Sequence, residues 1–120
     1  MDEAIEQEIQ AKGLTAPRVT PQRIEEVITG EHYFTAQNGV DGAGAAVGAP
    51  TPEITSLGLL TFCVLVTRNG FTVTGESACA SPENFSDELG RKIARQKAVE
   101  KIWPLEGYLL RERLAMERDE

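Results

Sequence analysis

Residues 59–114 contain the pattern that most restricts how this chain folds. An almost continuous apolar run over residues 59–67 is followed by Asn69-Gly70 and by a second β-rich run over residues 71–77. Asn-Gly between two such runs is the strongest short-range signal for a β-hairpin, because a type I′ turn needs positive φ at both central residues. The pattern therefore predicts two antiparallel strands joined at Asn69-Gly70.

A long amphipathic helix is predicted after this hairpin. Asp87 and Glu88 complement the helix dipole in its first turn, and apolar residues follow at intervals of three and four. Pro104 removes a backbone donor and is expected to kink the helix rather than end it. The predicted apolar stripe consists of Leu89, Ile93, Ala94, Ala98, Ile102, Leu105 and Leu109.

The chain before the hairpin carries weaker signals. Residues 2–12 have helical composition with a thin apolar stripe. Thr20 as N-cap and Pro21 at the first helical position predict a short helix over residues 21–29, with Gly30 as its stop. Residues 32–36 are aromatic and β-branched, which predicts another strand. Residues 37–53 are rich in Gly, Ala and Pro without a phosphate-binding glycine motif, and we expect a flexible loop there.

These patterns predict one α+β fold. It is a small antiparallel sheet of three or four strands packed on a long kinked C-terminal helix, with short N-terminal helices. Residues 18–120 form the single domain and residues 1–17 an N-terminal extension. A chain of 120 residues buries only a modest core, so we also expect a homo-oligomer, a dimer or higher.

Charge and hydropathy narrow the class of partner. The net charge of −7 argues against binding to a nucleic acid polymer or a membrane surface. Eight of the twelve Lys and Arg residues nevertheless lie at or after Arg91, and such a local basic face suits a small anionic ligand. The apolar run at 57–66 is too short to span a bilayer, and the acidic N-terminus is unlike a signal peptide, so a cytoplasmic location is expected.

Two kinds of side chain are candidates for binding such a ligand. Arg91 and Arg95 are one helical turn apart and could clamp a phosphate, or could simply form a solvated polar face. Phe71 and Phe85 lie near the junction between sheet and helix, where a base could stack on them, although core packing is the commoner fate of Phe. Asn84 could bond a ligand or assist the helix start.

The last helical segment carries further candidates. Arg111 and Arg113 could close a site from a neighbouring subunit, or could simply be exposed. Tyr108 and Glu106 have the same two possible fates.

Catalysis is not expected from this sequence. His32 is the only histidine, and it lies in a different predicted element from Cys63 and Cys79. A nucleophile needs an activating base close by, and none is predicted. Both cysteines are expected to be free thiols, and we predict neither a metal site nor a cofactor.

The strings LLTFCVLVTRNGFTVTGESACASPENF and LGRKIARQKAVEKIWPLEGYLLRERL resemble a family of small proteins of tailed phages and prophages. The resemblance covers about residues 18–114 and rests on the NGF turn, the GESAC step, the NF before the helix and the LEGYLL ending. The family that the chain resembles is expected to include the first-named type of Thoeris anti-defence protein. The acidic N-terminal helix and the GAGAAVGAPTP segment are expected to be peculiar to this chain, so the resemblance does not predict its assembly or its loop contacts.

The resemblance implies a protein that sequesters an immune signal without cleaving it. The signal would be a cyclic ADP-ribose-type nucleotide made by a bacterial TIR-domain enzyme, and some similar proteins also bind cyclic oligonucleotides. Ligand sites in such proteins use an aromatic ring under adenine and basic side chains of the long helix around the phosphates. Phe71 or Phe85 together with Arg91 and Arg95 are the matching residue types.

Overall fold

The structure is a computed structural model that describes residues 3–119. Its elements confirm the predicted α+β fold with short N-terminal helices and a long C-terminal helix. In chain order they are α1 (Glu3–Ala11), α2 (Pro21–Val27), β1 (Ile28–Thr35), α3 (Ala36–Ala46), α4 (Thr55–Gly58), β2 (Leu60–Thr67), β3 (Thr72–Ala78), a 3₁₀ turn (Pro82–Asn84) and α5 (Asp87–Asp119).

The three strands form one antiparallel sheet in the order β1-β2-β3. Cys63 in the central strand lies opposite Tyr33 of β1 and Gly75 of β3. Because side chains alternate along a strand, Leu65 and Val73 share the face of Cys63, and both are buried. This face receives helix α5 and holds the core.

Helix α5 contacts the sheet along a narrow line of mostly small residues. Ala94, Ala98 and Ile102, spaced four apart, are each at most 1% exposed. A Cβ atom added to Gly75 would lie closer than 3.0 Å to the backbone of Ala94 and Ala98, so the absence of a side chain at this position permits the close approach. The predicted stripe was too wide, since four of its members are exposed: Leu89, Ile93, Leu105 and Leu109.

The turn between β2 and β3 confirms the predicted hairpin but not its type. Gly70 has φ of 86°, whereas no described residue other than glycine has positive φ, so the turn is not type I′. The Gly70 N–H donates to the Thr67 carbonyl at 2.8 Å, and the Thr67 N–H donates to the Phe71 carbonyl at 2.8 Å. The Asn69 side chain accepts from the Thr67 hydroxyl at 2.7 Å and the Phe71 N–H at 3.1 Å. These bonds describe a three-residue loop with Gly70 in the left-handed position.

Helix α2 begins where the sequence predicts and ends earlier. The Thr20 hydroxyl accepts from the Arg23 N–H at 3.1 Å, which confirms the N-cap. The predicted stop at Gly30 is wrong, because the chain enters β1 directly at Ile28. Gly30 instead lies in the strand beside Val66. Pairing with β2 therefore extends β1 to the N-terminal side of its predicted start.

The segment predicted as a flexible loop at 37–53 begins as a helix, α3. The Thr35 hydroxyl accepts from the Asn38 N–H at 3.2 Å, and the Asn38 side chain accepts from the Thr35 N–H at 2.9 Å. This reciprocal cap satisfies two backbone donors at the start of α3, and four of the eleven residues of the helix are alanine, the best helix former. The Gln37 side chain bonds the backbone of Pro52 and Ile54, which ties the rest of the segment to α3.

Helix α5 does not end at Pro104, which confirms that this residue is not a stop. The molecule is elongated as a result, with extents of 60 × 32 × 17 Å and a radius of gyration of 18.9 Å. A compact chain of this length would have a radius of gyration of about 14 Å. A single helix layer covers one face of the sheet, and the apolar side chains of the other face remain partly exposed: Phe34, Phe62, Val64 and Val66.

None of the helices within residues 3–119 is both long and apolar enough to cross a membrane.

Candidate ligand-binding site

A groove with a volume of about 300 Å³ lies between the hairpin turn, α2 and the middle of α5. We call it the hairpin groove. Its volume is at the lower end of the range of small-molecule sites. It is lined by Arg23, Val27, Thr67, Arg68, Asn69, Phe71, Ile102, Leu105, Glu106, Tyr108 and Leu109.

Two aromatic rings in this groove are exposed to solvent. Phe71 is 56% exposed and Tyr108 is 72% exposed. Phe71 follows the turn directly, so the short loop fixes its position, whereas Tyr108 projects from α5 in the part that extends beyond the core. Exposed aromatic rings beside aliphatic side chains are typical of surfaces that stack a ligand base or bind another protein.

Two arginines add positive charge to the groove. The Arg68 backbone N–H donates to the Val27 carbonyl at 2.8 Å, and one guanidinium nitrogen donates to the Glu26 carbonyl at 3.1 Å. These bonds hold Arg68 against the C-terminal end of α2, where a cation is favoured by the helix dipole. The other guanidinium donors are left for a ligand, because arginine has five N–H groups.

Arg23 is held in a different way. Its Nε donates to Glu106 Oε1 at 2.9 Å, which links α2 to α5. Arg23 and Glu106 line the hairpin groove and also a second cavity of about 450 Å³. We call the second cavity the arginine recess. It is lined by Arg18, Val19, Arg23, Glu106, Leu109, Leu110 and Arg113.

Arg91 and Arg95 lie elsewhere, over β1. The Arg95 guanidinium donates to Glu31 at 2.7 Å and to Glu25 at 2.8 Å. Hydrogen bonds to Glu25 and then Glu31 raise the pKa of Arg95. Arg91 pairs with Asp87 at 3.2 Å. The Arg95 guanidinium is thus already neutralised by two carboxylates of this chain.

A ring contact completes this region. The Arg91 guanidinium carbon lies 5.7 Å from the centre of the Tyr33 ring, within the range of a cation–π contact. Burial, followed by the neighbouring Cys63 and Glu31, raises the pKa of Tyr33 to about 12. Burial also raises the pKa of the Cys63 thiol. The region is a polar seam between α2, β1 and α5 that holds these elements together.

The remaining sequence candidates occupy two other places. Asn84 is exposed in the 3₁₀ turn, and Phe85 is half-buried with its ring near Gly90 at the start of α5. Arg113 lines the arginine recess, whereas Arg111 is exposed and lines neither cavity. Since α5 rises about 1.5 Å per residue, Arg91 and Tyr108 are separated by about 25 Å along the helix. One chain therefore does not bring Phe71 together with Arg91 and Arg95.

Sequence reasoning did not select Arg68 or Arg23. Arg68 has a local signal, because it directly precedes the Asn69-Gly70 turn and must lie at the hairpin tip. Arg23 has none, since its partner Glu106 is 83 positions away and only the fold brings them together.

Within residues 3–119 no group of three or more His, Cys, Asp and Glu side chains is arranged to hold a metal ion.

Comparison with protein-family models identified the family of the chain. Residues 19–114 match the phage protein family described by N4 Gp49 and phage Sf6 gene 66. The chain belongs to this family. The match includes the sheet, the hairpin groove and most of α5, while α1 and Arg18 lie outside it. Comparisons with curated proteins and with solved structures gave no match.

Proposed function

We propose that this protein binds a small nucleotide signal in the hairpin groove and sequesters it without cleaving it. The exposed pair Phe71 and Tyr108, with Arg68 beside them, is the observation that carries this proposal. Stacking on an aromatic ring contributes about 1–3 kcal/mol per base, and a guanidinium provides bidentate bonds to phosphate. These are the two interactions that a nucleotide needs.

Binding without turnover is consistent with where the histidine lies. His32 is opposite Val64 in the sheet, so it faces away from α5 and from the side that carries the groove. A hydrolytic or transfer reaction in the groove would need a general base from another side chain. Arg68 and Arg23 are poor bases because they stay protonated. Glu106 is the carboxylate among the lining residues, and it is paired with Arg23 at 2.9 Å.

Membership of a phage protein family supports a role against host defence. The resemblance to the first type of Thoeris anti-defence protein indicates glycocyclic ADP-ribose as the ligand, with cyclic oligonucleotides as further possibilities. Sequestration requires an affinity well below the signal concentration. We therefore expect a nanomolar dissociation constant, equivalent to about −12 kcal/mol.

We further propose that the protein is a homo-oligomer of two or more copies. The accessible surface of the chain is 8312 Å², whereas a compact monomer of this mass would expose about 6,400 Å². The excess, about 1,900 Å², matches what one subunit contributes to a large permanent interface. A second copy on the open sheet face around Phe62 and Val64, or along the exposed part of α5, would bury it. Sedimentation at micromolar concentration would give a monomer mass if this is wrong.

The binding proposal is tested by calorimetric titration of the purified protein with glycocyclic ADP-ribose and with cyclic di- and trinucleotides. The complex is then heated, and the released ligand is identified by mass spectrometry. Tight binding with intact ligand recovered supports sequestration. Absence of binding to every compound refutes the proposal, and accumulation of a product would make the protein an enzyme.

Paired variants locate the site. Phe71→Ala and Arg68→Ala should each weaken binding by roughly tenfold or more, from the stacking and charge-assisted bonds that they remove. Phe85→Ala at the start of α5 and Arg118→Ala near its end are controls of the same residue types outside the groove. Arg95→Ala is a poor test, because it also breaks two ion pairs of the fold.

A second candidate function is the binding of another protein. Leu105, Tyr108 and Leu109 are exposed at helical spacing on one side of α5, which is how a helix presents anchors to a partner groove. This function predicts that Tyr108→Ala changes assembly or partner binding. It also predicts that nucleotide titrations show no binding, in the wild type or in the variant.

A further inference from the structure

The arginine recess continues from the hairpin groove past the Arg23–Glu106 ion pair. Arg18, Arg23 and Arg113 surround it, and it has room for a group as large as a diphosphate. Arg23 is paired with Glu106 at 2.9 Å. No carboxylate among residues 3–118 forms an ion pair with Arg113.

Arg18 is occupied by a carboxylate from α1. Its two terminal nitrogens donate to the two carboxylate oxygens of Glu6 at 2.6 and 2.7 Å. Gln10 donates to the same carboxylate at 2.8 Å and holds it in place. The Glu6 side chain is only 12% exposed and that of Arg18 is 26% exposed. Both arms of the guanidinium fork are therefore used within the chain.

We propose that the arginine recess binds the diphosphate of the groove ligand and that Glu6 of α1 competes with that diphosphate for Arg18. A carboxylate and a phosphate bind the same guanidinium fork through two parallel N–H···O bonds, so only one of them can occupy it. The inference rests on the proposed function, since the diphosphate in question belongs to the ligand whose base stacks in the groove.

The properties of α1 support this role. None of its described residues is buried, so the helix does not contribute to the core. It carries Glu3, Glu6 and Glu8 against the single nearby Lys12. It also lies outside residues 19–114, the part that matches the phage family. An acidic helix with no buried residue and a bidentate link to a cavity-lining arginine is suited to limiting access of anions to that cavity.

The test compares Glu6→Gln with Glu8→Gln in the full-length protein. Both remove one negative charge from α1, but Glu8 pairs with Lys12 at the surface and not with Arg18. Titrations use glycocyclic ADP-ribose and, as a probe without a base, inorganic pyrophosphate. Removing the Glu6 carboxylate frees the Arg18 guanidinium for the ligand. Glu6→Gln should therefore bind both ligands roughly tenfold more tightly than the wild type, and Glu8→Gln should bind them as the wild type does.

Further variants make the outcomes distinct. Adding Arg18→Ala to Glu6→Gln should abolish the gain, and Arg113→Ala should weaken pyrophosphate binding. Equal or weaker binding in Glu6→Gln than in Glu8→Gln overturns the inference, and the proposed function survives if Phe71→Ala still loses the nucleotide. If pyrophosphate binds and shows the gain while no nucleotide binds, the proposed function fails and the recess stands as an anion site. If neither ligand binds to any variant, both proposals fail.

Discussion

Replacing Gly75 with alanine tests how α5 is held against the sheet. The new Cβ would overlap the Ala94 carbonyl oxygen and the Ala98 backbone nitrogen, and it would lie 3.0 Å from the Lys97 carbonyl carbon. These neighbours are all helix backbone, so a change of rotamer does not relieve the overlap. The helix must move away from β3 by roughly 1 Å to restore ordinary contact distances, since the dispersion optimum lies near 3.5–4.0 Å.

The loss of stability comes from the buried contacts between α5 and the sheet that this movement separates. A gap of about 1 Å forfeits up to half of the dispersion energy across it. The buried line includes Ile102, whose burial alone is worth about 1.5–3 kcal/mol, and two alanines that add about 1 kcal/mol each. Adding typical overpacking strain of about 1 kcal/mol gives a loss of roughly 3 kcal/mol in the free energy of unfolding. That is a large part of the roughly 5–15 kcal/mol available to a small domain.

Urea unfolding followed by circular dichroism, at one protein concentration, measures this loss. Gly107→Ala is the matched control, because it places the same methyl group on α5 where no atom lies within 4 Å. Alanine is the better helix former, so this control should be more stable by about 0.5–1 kcal/mol. If Gly75→Ala unfolds within about 1 kcal/mol of the wild type with an unchanged m-value, Gly75 does not set the spacing between helix and sheet.

Three further predictions concern charge and ionisation. Arg95→Ala should lower the free energy of unfolding by about 1 kcal/mol. The loss is modest because the two partner carboxylates, Glu25 and Glu31, are 59% and 37% exposed. An unchanged urea midpoint would show that the polar seam does not stabilise the fold. Tyr33, with its pKa raised from 10.0 to about 12, should ionise near pH 12 by ultraviolet absorbance, and the stability it contributes below pH 10 should be lost as pH rises through 12. Ionisation of Tyr33 near pH 10 would refute this. The Glu6 carboxyl has its pKa lowered from 4.5 to about 2, first by the hydrogen bond from Arg18 and then by that from Gln10. The stability that the ionised Glu6 contributes is present above pH 4.5 and is lost as pH falls through 2. The carboxyl carbon resonance of Glu6 should therefore titrate near pH 2. A midpoint at about pH 4 or above would count against the Arg18 contact.

Much of the fold could be predicted because its signals are local. The hairpin at Asn69-Gly70 and the start of α2 at Thr20 depend on residues within a few positions of one another. Helix α3 was missed, because the glycines of residues 37–53 favoured a flexible loop and outweighed the cap formed by Thr35 and Asn38, a four-residue pattern that was visible in the sequence. The turn type was also misjudged, since the Asn69 side chain stabilises a three-residue loop in place of a tight two-residue turn.

The site depended on contacts between distant parts of the chain. Phe71 is exposed, but it lies at the hairpin turn and not at the junction between sheet and helix that the sequence suggested. Arg91 and Arg95 lie about 25 and 20 Å along α5 from Tyr108, which lines the same groove as Phe71. Arg95 looked available in the sequence, and it is neutralised by Glu25 and Glu31 only because α2 and β1 fold beside it. The 3.6-residue periodicity specified which α5 residues share a side, not how many of them the narrow sheet would cover.

Apart from α3, the sequence by itself determined the main element types, the antiparallel pairing of β2 with β3 and the long helix, because helix caps, turn residues and apolar periodicity act over short distances. Only the tertiary structure decided which charges are free. Arg23, Arg18 and Arg95 each meet a carboxylate from another element, while Arg68 lies beside the two exposed aromatic rings. The energy of an ion pair depends on the distance between its charges in space, and sequence separation carries no information about that distance until the chain has folded.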